Sequence, residues 1–101
     1  MRKVNYSLYR ERQARYIYRR SLSGKPVDRT ACIDAAQFFI FKEANRAARP
    51  WEAFFALARA RWLLSLAGED MPFSGRTVED IRTRAQKWFS KRFPEGGESC
   101  A

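Results

Sequence analysis

The sequence predicts an all-α protein: a compact bundle of three to four helices, over residues 4–22, 29–48, 51–67 and 77–92. Three observations predict it. Turn-forming residues at SGKP (23–26), Pro50 and GEDMPFSG (68–75) cut the chain into four segments of helical length. Within them, apolar side chains recur every three or four residues, the helical period. Short connections between such segments favour helices packed as neighbours around one core. A chain of 101 residues with 46% hydrophobic and 15% aromatic content suits a single folded domain. That domain is expected over residues 1–93, followed by a flexible polar tail, PEGGESCA, at 94–101.

The first segment is the least regular. On a helical wheel Tyr9, Arg12, Tyr16, Arg19 and Arg20 share one sector, while Val4, Leu8 and Leu22 share another that also holds Arg15. As a strand, ARYIYRR would alternate Tyr16 and Tyr18 against Ile17. Helix is preferred, because ERQAR is a good helix-forming run and no partner strand is visible elsewhere.

The second segment begins at Asp28 or Thr30, either of which can cap a helix. Ile33, Ala36, Ile40, Ala44 and Ala47 form an apolar stripe, widened by Phe41. Small alanines at this spacing admit a second helix at close range, either within the chain or across a homodimer. Lys42, Arg46 and Arg49 lie across the helix, with Phe38 and Phe39 on its flanks.

Pro50 suits the first position of the third helix. From Trp51 to Ala67 the polar residues are only Glu52, Arg59, Arg61 and Ser65, so the helix is expected to be central. Trp51, Phe54, Phe55, Trp62 and Leu66 read as core. Glu43 and Glu52 are the acids nearest that core and are expected to pair with arginines such as Arg59.

The fourth helix has the clearest signature. Thr77 precedes Val78-Glu79-Asp80, a capped start with acids in the first turn, and Lys91 and Arg92 fall in the last. Val78, Ile81, Ala85, Trp88 and Phe89 share one face, opposite Arg84, Lys87 and Lys91.

Composition narrows the chemistry. The chain has no histidine, which removes the commonest metal ligand and the commonest general base. Cys32 and Cys100 are far apart and read as free thiols, and the sequence holds no glycine-rich phosphate loop. The expectation is a non-enzymatic protein with no metal or cofactor. No apolar run is long enough for a membrane span, and MRKVNYSLYR lacks the apolar stretch of a signal peptide, so a cytoplasmic location and no membrane partner are expected.

Charge carries the positive signal. The net charge is +9, and residues 1–30 hold nine Lys/Arg against Glu11 and Asp28, or +7 of it. Arginine outnumbers lysine 15 to 5, and arginine forks onto phosphate or carboxylate. Tyrosines beside arginines can stack on exposed bases. The pattern points to nucleic acid or a nucleoprotein complex, bound through backbone phosphates with little base readout. The alternative is a protein–protein module (a small subunit, adaptor or phage- or plasmid-type inhibitor) docking on such a complex or on an acidic protein surface. For either partner the candidate residues are Arg2, Lys3, Tyr9, Arg12, Tyr16, Arg19 and Arg20, extended by Lys42, Arg46 and Arg49. No helix-turn-helix pattern emerges at any junction.

Overall fold

The computed structural model describes residues 6–94, and all of their regular structure is helical. Helix α1 spans Tyr6–Leu22, α2 Arg29–Gln37, a π-helical segment Phe38–Glu43, α3 Ala44–Arg46, α4 Pro50–Leu66 and α5 Val78–Arg92. Because α2, the π segment and α3 run on without a break, the bundle has four helical members among the described residues. None is long and apolar enough to cross a membrane.

Local chemistry accounts for the ends. The Asp28 carboxylate accepts the Ala31 N–H at 3.3 Å and starts α2, and the Thr77 hydroxyl accepts the Asp80 N–H at 3.1 Å and starts α5. Ala47 and Arg49 are extended, as expected next to Pro50, which turns the chain into α4. Glu52 reaches back over this corner and accepts the N–H groups of Ala48 (2.9 Å) and Arg49 (3.4 Å), so it caps α4 rather than pairing with an arginine. At the other end of α4, Gly68 has φ +80°, and the Glu69 N–H returns to the Leu64 carbonyl at 2.8 Å. The largely buried Glu69 carboxylate then accepts from Arg29 of α2 (2.7 Å) and Arg92 of α5 (2.9 Å), tying three helix ends together.

The core lies where α2 and its π extension meet α4, with α1 and α5 packed on either side. Cys32, Ala35 and Ala36 of α2 are buried, as are Ala53, Ala56 and Ala60 of α4, so these two helices approach through small residues. The Cys32 thiol is free, and burial, with the nearby Asp28 charge, pushes its pKa up. The alanine stripe expected to serve either a neighbouring helix or a dimer is used internally: Ala36, Ile40 and Ala44 are all buried. From α5, Ile81, Ala85 and Phe89 close the core, with Phe89 edge-to-face on Phe41 at 5.8 Å.

Three expectations are corrected. Phe38 and Phe39 are not flanking residues: both are buried, together with Ile40. The reason is the π segment, in which the Ala44 N–H reaches the Phe39 carbonyl five residues back. The wider turn lets three consecutive large side chains face inward, and Gln86 of α5 donates to the Ile40 carbonyl at 3.1 Å. On α1, the packed face is Ala14, Ile17 and Ser21, whereas Leu8 and Leu22 are exposed. Finally, Trp51, Phe54, Phe55, Trp62 and Leu66 are not core but exposed. Helix α4 is central, yet it buries Ala53, Ala56, Leu57, Ala60, Leu63 and Leu64 and turns its aromatic side, with Leu66, to solvent.

Candidate nucleic-acid interface

Helix α1 offers a row of side chains that the fold leaves outside. With Ala14, Ile17 and Ser21 against the bundle, Tyr9, Arg12, Tyr16 and Arg19 project from the opposite side at spacings of three and four. Tyr9 is 60% exposed and Tyr16 50%. Arg12 and Arg19 are exposed and make no ion pair or hydrogen bond among the described residues. They stand seven residues apart, or about 10 Å along the helix axis.

The remaining candidates divide. Arg20 leaves the row, because its Nε donates to the Pro26 carbonyl at 2.8 Å and clamps the turn after α1. Arg46 is exposed but committed: it pairs with Glu11 of α1 at 3.4 Å and lies over the Phe38 ring at 5.7 Å. Lys42 is exposed on the π segment, and Arg49 is the exposed residue preceding α4. Neither is joined to the α1 row by an ion pair or hydrogen bond among the described residues. Arg2 and Lys3 lie outside the described residues, as does the tail from residue 95.

A second network runs along the flank of α1 that faces α4. Arg15 pairs with Glu11 at 3.3 Å and, more closely, with Glu43. Glu43 also pairs with Arg59 of α4 at 3.1 Å, the partner expected for it. Desolvation works to raise the Glu11 pKa, but hydrogen bonds from Arg15 and Arg46, and their charges, outweigh it and hold the carboxyl below its ordinary range. Tyr18 belongs to this flank too, edge-on to Phe39 at 6.0 Å and under the Arg59 guanidinium at 5.8 Å. Two of the five arginines in residues 9–20 are thus structural through ion pairs or turn contacts (Arg15 and Arg20), and the outward row is what remains available.

On the other flank, α1 and α2 enclose a groove of 290 Å³ that includes Tyr9, Gln13, Asp34 and Phe38. Partial desolvation there raises the Asp34 pKa, against the pull of the Arg10 charge. Among the described residues no three cysteine, aspartate or glutamate side chains gather closely enough to hold a metal ion.

The exposed aromatic face of α4 escaped the sequence reading. That helix is apolar nearly all round, so its period names no buried side. The gathering of every tryptophan and phenylalanine of α4 on one side of the wheel, away from Ala53, Ala56, Leu57, Ala60, Leu63 and Leu64, is the signal that separates the two sides. Comparison with protein families, curated proteins and solved structures returns no match to this chain.

Proposed function

We propose that this protein binds nucleic acid without catalysing a reaction, gripping backbone phosphates with Arg12 and Arg19 and setting Tyr9 and Tyr16 against sugars or exposed bases. The observation that carries the reading is the pair of exposed, unpaired arginines flanked by two half-exposed tyrosines, within a segment that holds most of the net positive charge. Phosphates along one strand rise about 3.4 Å per nucleotide, so a span of about 10 Å reaches contacts three steps apart. Forked arginine–phosphate bonds supply affinity but read no sequence. Four residues on one helix face give little scope for base-edge discrimination, so binding is expected to be largely independent of sequence.

The test is fluorescence anisotropy with mixed-sequence duplex DNA, single-stranded DNA and RNA over a salt series. Binding should weaken steeply as salt rises, and Arg12→Ala with Arg19→Ala should flatten the log–log slope by about two. The thermal midpoint should hardly change, because neither side chain has a partner to lose. No retention of any oligonucleotide at about 50 mM salt would overturn the reading. A single stoichiometric protein partner surviving nuclease, and lost in the same double variant, would replace phosphate with an acidic protein surface.

A further inference from the structure

We propose that the outward face of α4 is a docking site for an acidic amphipathic helix of a protein partner. Trp51, Phe55, Ala58, Trp62 and Leu66 follow one another at spacings of four, three, four and four, which sets them in one stripe along the helix. The stripe runs about 22 Å, the length of about four turns of a partner helix. Trp51 is 55% exposed and Phe55 50%, and Trp62 and Leu66 are also exposed. A contiguous apolar surface containing two tryptophans is what interface anchors look like, whereas scattered exposed side chains are ordinary.

The stripe is ready to pack. Phe55 meets Trp51 edge-to-face at 6.2 Å and Phe54 at 5.9 Å, and Phe54 leans on Phe73 at 5.2 Å, so the rings hold one another in place. Beside them a groove of 270 Å³ has Ala47, Trp51 and Phe55 on its apolar side, where an apolar side chain of the partner can rest, and the engaged Glu43, Arg46, Glu52 and Arg59 around the remainder. Helix-in-groove recognition uses anchors at this spacing.

Charge decides the occupant. Arg59 borders the stripe on the α1 side and Arg61 on the other, over the Phe73 ring at 5.4 Å. The nearby carboxylates are already engaged: Glu43 by Arg15 and Arg59, Glu52 by the Ala48 and Arg49 N–H groups. Arg61 has no carboxylate partner among the described residues, and on the other edge Arg15, Arg46 and Arg59 share only Glu11 and Glu43, so both edges keep a positive excess toward whatever lies on the stripe. A second copy of this chain would set arginine against arginine and one net charge of +9 against another. Nucleic acid suits the arginines but not the stripe, since Ala58 and Leu66 interrupt the rings with aliphatic side chains that give a base nothing to stack on. An apolar stripe edged with Asp and Glu complements both features. This surface is separate from the outward row of α1, so the two sites stand or fall independently.

The test uses the full chain and three synthetic helical peptides of about four turns. One carries Leu and Phe at a spacing of three and four with Glu and Asp elsewhere; one is a permutation of the same composition; one has Lys for every acid. Calorimetry should show saturable one-to-one binding of the first, with the other two weaker by at least about tenfold. Phe55→Glu and, at the far end of the stripe, Leu66→Lys should each lose the same factor while oligonucleotide binding by α1 persists. If Phe55→Glu fails to fold, Leu66→Lys decides alone. Equal binding of the three peptides, or none, overturns the proposal. Self-association that either variant dissolves would assign the face to a second copy, and oligonucleotide binding that either variant abolishes would assign it to nucleic acid.

Discussion

The Trp62 indole N–H donates to the Ser21 hydroxyl at 3.0 Å, and that hydroxyl donates in turn to the Tyr18 carbonyl at 2.6 Å. Ser21 is the buried polar side chain among the described residues, and it fastens the C-terminal end of α1 to α4. Ser21→Ala should cost about 1 kcal/mol, because it strands a partly buried donor. Trp62→Phe should cost a similar amount, and the double variant should lose less than the sum, with a coupling of about 0.5–1 kcal/mol in urea unfolding. Additive losses would mean that the bond contributes nothing and that α1 is held by its Ala14 and Ile17 packing.

Burial reverses the usual ranking of side-chain truncations on α4. Leu57 is fully buried, and Leu57→Ala should cost about 2–5 kcal/mol. Trp51→Ala and Phe55→Ala remove larger side chains but empty no cavity, and each should cost no more than about 1 kcal/mol. Denaturant midpoints of the three variants check the order. A larger loss for either aromatic would show that the stripe supports the bundle, contrary to its exposure.

The inversion on α4 shows where sequence reading stops. Helix ends were legible because their causes are local: Asp28 and Thr77 accept N–H groups a few residues away, and Pro50 breaks the ladder by itself. Helix α5 was legible because its polar and apolar faces are distinct. On α4 the choice of buried side depends on a partner helix. Helices α2 and α4 pack together with Ala35 and Ala36 buried on one and Ala53, Ala56 and Ala60 buried on the other, and bulky rings in those places would hold the helices apart. The same preference for close approach selects Ala14, Ile17 and Ser21 on α1 over Leu8 and Leu22. Phe38 and Phe39 were misplaced because a wheel assumes one pitch, and the π segment changes it. For the candidate site, spacing alone found the Tyr9–Arg12–Tyr16–Arg19 row. Spacing could not find the partners of Arg20 and Arg46, which come from a turn carbonyl and from a carboxylate on another helix.

Acid should weaken the junction between α1 and α3 through Glu11. Its carboxyl is held below the ordinary value of 4.5, because the bonds and charges of Arg15 and Arg46 outweigh desolvation. A carboxyl with a lower pKa in the folded than in the unfolded state stabilises the fold above the unfolded value, and that contribution disappears as pH falls through the folded value. All three side chains are partly exposed, so the contribution is only about 0.5–1 kcal/mol. Glu11→Gln should therefore be less stable than the parent at neutral pH, with the gap closing below about pH 4.5 and shrinking in high salt. Asp34 provides the opposite sign. Desolvation raises its pKa despite Arg10, so its charge is unfavourable at neutral pH and the penalty is relieved in acid. Asp34→Asn should match or exceed the parent at neutral pH and lose that advantage as pH falls. A Glu11→Gln deficit that stays constant across the acid range would locate its cost in side-chain geometry rather than ionisation.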